Sequence, residues 1–174
     1  MTVSRDSAAY QLVSGSPKGA HAALRLWLRL LACSSTVEGE VKRRLRDEFD
    51  CTLPRFDVLA QLDAASRDHV DGLTMSDLSR RLMVTNGNLT ALVERLTKEG
   101  LVSRAASPAD RRTQIVRLSA EGRKALHHMA PKHEEWIGAM FGGLEDAERV
   151  QLYELLGKLR TSVRGALDNA DSVS

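Results

Sequence analysis

The chain has 174 residues, 43% of them hydrophobic and only 4% aromatic, with a formal net charge of +2 and an isoelectric point near 8.7. That length builds one domain or one intertwined protomer, with a core mostly of Leu, Ala and Val. It excludes a membrane span, because no stretch is long and apolar enough, a disulfide framework or structural zinc site, because the two cysteines lack C-x-x-C spacing, and nucleic-acid binding inferred from net charge alone.

Residues 1–18 have weak periodicity and carry Ser14-Gly15-Ser16-Pro17. They read as a mobile tail, with at most a short helix around Ala8–Val13. No secretory leader pattern is present, so a cytoplasmic protein is expected. The first long helix is expected over about Ala20–Phe49. Its first half is apolar nearly all round: Leu24, Leu26, Trp27, Leu28, Leu30 and Leu31 leave little polar face. Such a helix must be buried on several sides, and two protomers of this size do that economically. Its second half interleaves Lys42, Arg43, Arg44 and Arg46 with Val41 and Leu45, a half-exposed pattern. Arg25 and Arg29 interrupt the apolar half and, four apart, share a face. Unpaired burial of two cations is costly. They snorkel to solvent, pair with acids on another helix, or meet an anionic ligand.

Cys51-Thr52-Leu53-Pro54 breaks the helix, and Pro54 suits the first turn of a second one. That helix carries Phe56, Val58, Leu59 and Leu62 inward, with Arg55 and Asp57 near its start. A polar loop, Ser66–Gly72, follows. Thr74 with Asp77 three residues later is a capping pattern for a third helix. Leu78 and Leu82 recur at helical spacing, and a turn falls near Met83-Val84. Thr85 is a second N-cap candidate. The fourth helix gathers Leu89, Leu92, Val93 and Leu96 on one face. Gly87, Ala91, Glu94 and Lys98 lie opposite, flanked by Asn88, Thr90 and Arg95, and Gly100 fits the left-handed end of a helix.

That outer face suits a DNA major groove. Gly87 and Ala91 are small, Asn88 can form two hydrogen bonds to adenine, and Arg95 can reach guanine or a phosphate. Thr85 and Asn86 stand at the helix N-terminus, where free amides favour a phosphate. Leu101-Val102 and Gln114–Leu118 read as two strands. Between them Ser107-Pro108-Ala109-Asp110-Arg111-Arg112 forms a turn that ends in paired arginines. An arginine at such a tip fits a narrow minor groove, and Asp110 is placed to brace it through a charge-assisted hydrogen bond. Residues 74–118 hold eight Lys/Arg against four acids, a local balance of +4 that exceeds the whole chain's. Clustered excess of this kind is the footprint of phosphate binding.

Ser119 caps a fifth helix, about Ala120–Phe141, in which Pro131 is expected to cause a kink or break. His127, His128 and His133 lack the i, i+4 spacing of helical zinc sites and read as ordinary histidines. Gly142-Gly143 ends that helix. A last helix, about Asp146–Leu167, carries Val150, Leu152, Tyr153, Leu155, Leu156 and Leu159, and Asp168–Ser174 reads as a frayed tail. The expected fold class is mainly α with a small β-hairpin wing. The expected division is a helical dimerisation region (19–53 and 119–168), a winged helix-turn-helix (54–118) and tails (1–18 and 169–174).

The chain resembles the MarR family of transcription regulators. The resembling residues are Leu78-Ser79-Arg80-Arg81-Leu82, the Thr85–Leu96 helix, Glu99-Gly100-Leu101-Val102, Pro108-Ala109-Asp110-Arg111-Arg112 and Val116-Arg117-Leu118-Ser119-Ala120-Glu121-Gly122. The resemblance implies a homodimer with interleaved first and last helices, binding double-stranded DNA at a pseudo-palindromic operator. It matches Asp110 and Arg112 to the family's wing aspartate and minor-groove arginine. Gly87 and Asn88 stand where many members carry serine or threonine, so base preference does not carry over. The Leu26–Leu31 and Leu53–Asp57 segments look like a subset tied to breakdown of hydroxycinnamate-type acids, which implies an aromatic acid or its coenzyme A thioester as effector. Arg25 and Arg29 are then the candidate anion contacts, with Trp27, Arg55 and Asp57 as lining residues.

Three other readings compete. An enzyme would need a nucleotide loop, a G-x-S-x-G, an H-E-x-x-H or a nucleophile–base pair, and none is present. A winged-helix protein-interaction module would leave the basic wing unexplained. A thiol-sensing regulator would use Cys51, near basic residues and a helix start, while Cys33 reads as a small core residue. No cofactor or metal is expected.

Overall fold

The computed structural model describes residues 21–107, 110 and 112–171, the side chains of Asn86 and 169–171 excepted. The expected 1–18 tail and Pro108, Ala109 and Arg111 of the wing tip lie outside the described residues. In chain order the elements are α1 Ala22–Phe49, α2 Leu53–Arg67, β1 Leu73–Thr74, α3 Met75–Leu82, α4 Asn86–Lys98, β2 Val102–Ala106, β3 Gln114–Leu118, α5 Ala120–Phe141 and α6 Asp146–Asp171. No helix among them is long and apolar enough to cross a membrane.

Two compact units divide the chain, residues 1–134 and 135–174. The core of the first is built where helical periodicity places it. Leu45, Val58, Leu59, Leu62, Leu78, Leu89, Val93 and Leu96 are 2% exposed or less. The wing is more than a hairpin. Leu73-Thr74 pairs antiparallel with β3, Leu73 opposite Val116, giving a three-stranded sheet in the order β1-β3-β2. Two residues are too short to show a strand period, so the third strand had no sequence signal. Gly72 makes it possible. Its φ is +88°, and a β-carbon there would lie 2.6 Å from the Val116 carbonyl oxygen. Arg117 clamps the same loop, donating to both carboxylate oxygens of Asp71 at 2.8 and 2.7 Å. Gly122 plays a similar part at the start of α5, where a β-carbon would meet the Leu101 carbonyl oxygen at 2.0 Å.

Two expectations change. The break at Pro131 does not occur, and α5 runs unbroken from Ala120 to Phe141. A proline ring removes one rung of the helix, and Leu126, Met129 and Trp136 on either side of it are buried. The last helix extends to Asp171, so Asp168–Asp171 are helical instead of frayed.

Two surfaces stay uncovered within one chain. Along the first half of α1, Leu24, Leu26, Trp27 and Leu31 are 45–58% exposed. In the second unit, α6 exposes Val150, Tyr153, Leu155, Leu156, Val163 and Leu167.

Candidate nucleic-acid interface

Helix α3 starts as its sequence requires. The Asp77 amide donates to Thr74 Oγ1 at 3.1 Å, and the Thr74 hydroxyl donates back to Asp77 Oδ2 at 2.7 Å. That exchange holds the Asp77 carboxyl below the usual carboxylate range. The turn between the helices, Met83–Thr85, opens on a left-handed residue, Met83, with φ 53°. Ser79 locks it by donating its hydroxyl to the Val84 carbonyl at 2.7 Å, while the Val84 amide donates to the Ser79 carbonyl. Ser79 was not legible as a turn residue, because it lies inside the preceding helix.

Helix α4 buries Leu89, Val93 and Leu96 and presents Gly87, Asn88, Ala91, Glu94, Arg95 and Lys98 to solvent. Nothing lies within 4 Å of a β-carbon on Gly87, so this end of the helix is open to close approach. Thr90 is half-buried at the edge of the face. Thr85 holds the N-cap position with extended backbone, but its side chain makes no capping hydrogen bond. The expected cap is therefore positional only, and the exposed hydroxyl stands beside the free amides of the first turn. Helix α4 ends at Glu99, followed by Gly100 at φ +74°.

At the wing tip Asp110 organises the loop. Its Oδ1 accepts the Arg112 amide at 2.9 Å and its Oδ2 accepts the Thr113 hydroxyl at 2.9 Å. The Thr113 amide donates to the Asp110 carbonyl, and the Ser107 amide donates to the Thr113 carbonyl. The expected brace on Arg112 thus acts at its main chain: a carboxylate accepting the amide two residues on is an Asx-turn. Arg112 itself is exposed. Thr113 was missed, although Asp-x-x-Thr is a readable turn signal. Arg104 on β2 is a further exposed cation of the wing.

The five residues expected to line a ligand site are not gathered in one protomer. A pocket of about 160 Å³ does form where the end of α1, the start of α2 and α5 converge. Phe49, Leu59, Leu101, Ala125 and Met129 supply apolar wall, and Asp50, Cys51, Arg55 and His128 the polar part. Arg55 alone among the expected residues lines it. Arg25 and Arg29 precede Phe49 by 24 and 20 residues on one helix, roughly 36 and 30 Å along its axis. Arg25 is half-buried, and Trp27, 54% exposed, and Arg29 lie on the open part of α1. Asp57 looks the other way, toward α1. Burial, then the nearby Glu38 carboxylate, push its carboxyl up to about 6, against a smaller pull from Lys42. Burial also pushes the Cys51 thiol up, which disfavours the thiolate a redox sensor needs.

The histidines have structural surroundings. His133 packs its ring 4.6 Å from Phe56, and His128 meets Phe49 edge-on at 5.4 Å. The buried Asp63 carboxylate is held by Arg123 at 2.6 Å and Arg67 at 3.1 Å, with His127 at 3.8 Å.

The MarR family model matches residues 49–113, the stretch from the pocket through the wing tip. An HTH-type transcriptional regulator of Bacillus cereus is 29% identical over 135 residues, 77% of this chain and 86% of its own length. Sco3205, a MarR family transcriptional regulator from Streptomyces coelicolor solved in complex with DNA, has the same fold. Its TM-score is 0.72 at 24% identity, covering 84% of this chain and 93% of that one. BpsR of Bordetella bronchiseptica, whose DNA binding is regulated by 6-hydroxynicotinic acid, matches with a TM-score of 0.66 at 26% identity, covering 78% and 98%. These relatives are transcription regulators and not enzymes. Over residues 49–113 the chain is similar to the MarR family, and it shares the fold of that family's winged helix-turn-helix transcription regulators.

Proposed function

We propose that this regulator is a homodimeric repressor that leaves its operator when an aromatic acid, free or as its coenzyme A thioester, binds each protomer. The observation that carries the ligand part is the pocket behind the recognition helix: an apolar slot of about 160 Å³ in which Arg55 is the guanidinium. That volume suits one substituted ring. The BpsR precedent, a heteroaromatic acid acting on DNA binding, points to the same ligand chemistry. A thioester's nucleotide end lies outside so small a space. Arg25 and Arg29 serve its phosphates only if the partner protomer's α1 passes the pocket.

On DNA, α4 enters the major groove. Gly87 and Ala91 allow close approach, Asn88, Thr90 and Arg95 read bases, and Thr85, Asn86 and Lys98 take phosphates. The wing places Arg112, with Arg111 beside it and Asp110 shaping the turn, in the minor groove. Residues 54–118 form the DNA-binding part, and 19–53 with 119–168 the dimerisation region. Two recognition helices related by a two-fold axis enter major grooves about one helical turn apart, and a ligand that prefers another spacing shifts the population toward it.

The test is to titrate the full-length protein on a duplex it has selected from random sequence, with p-coumarate and with p-coumaroyl-coenzyme A. Wild type is compared with Arg25→Ala/Arg29→Ala. Release by at least one compound supports the reading, and release by neither discards this ligand class. Equal release of wild type and the double variant by the thioester removes the two arginines from the site.

A further inference from the structure

The guanidinium that lines the pocket is also tied to the recognition helix. Arg55 Nη2 donates to Glu99 Oε2, joining the first turn of α2 to a residue 44 positions later. Glu99 is the C-cap of α4. A carboxylate there faces the negative end of the helix dipole, so it depends on a cation to stay in place. The pair is partly withdrawn from water, with side chains 22% and 34% exposed. Two residues on, Leu101 forms pocket wall, and its amide donates to the Leu96 carbonyl at 2.9 Å. The end of the DNA-reading helix therefore borders the pocket through both an ion pair and its main chain.

Arg55 is incompletely satisfied. Its Nε is buried and meets no hydrogen-bond acceptor among the described residues. The N–H groups of Nε and Nη2 lie parallel along one edge of a guanidinium, the edge that accepts a carboxylate two-pronged. Glu99 takes Nη2 alone. A carboxylate arriving from the pocket gains both donors and competes with Glu99 for the one it holds. Asp50 also lines the pocket, so its charge is nearly balanced and suits a monoanion better than a polyanion.

We propose that Arg55 and Glu99 form a latch: an aromatic monocarboxylate in the pocket takes the Arg55 guanidinium from Glu99 and frees the C-terminal end of α4. This rests on the pocket reading proposed above and assigns its route to DNA. Glu99 is a positioning residue here, since it touches neither ligand nor base. The latch makes an unusual demand, that removing the Glu99 charge strengthens ligand binding while weakening the ligand's effect.

The experiment uses the full-length protein, benzoate and p-coumarate as probes, calorimetry for binding, and fluorescence anisotropy on a selected duplex for release. Glu99→Gln keeps the shape and removes the competitor. It is expected to bind the probe about fivefold more tightly than wild type, the scale of one partly exposed ion pair. The probe's effect on DNA affinity should shrink to less than about twofold. Arg55→Lys keeps the charge but lacks the two-pronged edge, and should bind the probe about fivefold more weakly. A Glu99→Gln protein that binds and releases like wild type overturns the latch and leaves the pocket reading standing, as does an Arg55→Lys protein of unchanged probe affinity. If neither probe binds wild type, the pocket reading falls and the latch with it.

Discussion

The first half of α1 and the helix-turn-helix are both rich in leucine, yet one is finished within a single chain and the other is not. In α3 and α4, Leu78, Leu89, Val93 and Leu96 are fully buried, Thr74 caps α3 and the turn is locked by Ser79. In α1, Leu24, Leu26, Trp27 and Leu31 remain about half exposed, whereas Val41 and Leu45 further along the same helix are buried. Adjacent exposed apolar residues of this size mark an association surface. A hydrophobic stripe reports burial without saying by whose atoms. The reading part is self-sufficient, and the α1 surface is left open within one chain.

The largest effect is expected of Leu26→Asp/Leu31→Asp. Both positions are exposed in the protomer, so each chain should keep its fold while the dimer falls apart. Losing the second half-site should weaken operator binding by about a thousandfold. Analytical ultracentrifugation with anisotropy checks this, and a dimer of undiminished affinity would show that α1 is no interface. Leu45→Ala attacks the other half of the helix, where the side chain is 0% exposed. It should cost about 3 kcal/mol of protomer stability in urea denaturation. A loss below about 1 kcal/mol would mean that this part of α1 is not core.

Changes on the self-sufficient part should act locally. Arg112→Ala is expected to lower operator affinity about tenfold at moderate salt without changing stability. Asp110→Ala should do so more mildly, because it loosens the turn and leaves the guanidinium in place. Unchanged affinity of Arg112→Ala would sink the minor-groove assignment. The smallest effect concerns Asp57, whose carboxyl is raised to about 6 by burial and by Glu38. A raised folded value means that the native state holds the proton more tightly than the unfolded chain. Stability is thus fullest at low pH and falls as pH rises from about 4 through 6. Asp57→Asn should stabilise by about 1 kcal/mol at pH 7.5, after discounting for partial exposure, and by nothing below pH 4. Thermal melts at the two pH values decide it, and equal melts at pH 7.5 would show that burial does not penalise the charge.

Features that depend on neighbours along the chain are legible in the residues themselves. Thr74 and Asp77 cap α3, Gly100 takes the left-handed residue after α4, and the leucine spacing sets which face of each helix is wet. These are contacts within one or two turns, and periodicity and capping residues encode them directly. The order helix, turn, helix, strand, wing, strand followed from the same local rules. Tertiary structure alone decided the rest. It paired Arg55 with Glu99 and Arg123 with Asp63, 44 and 60 residues apart, and added β1 to the sheet. It also left Arg25 and Arg29, respectively 24 and 20 residues along α1, away from Phe49, which shares the pocket wall with Arg55. Nothing local announces such partners: a cation on a helix face looks the same whether it meets water, an acid or a ligand, and only the packing of distant segments tells them apart.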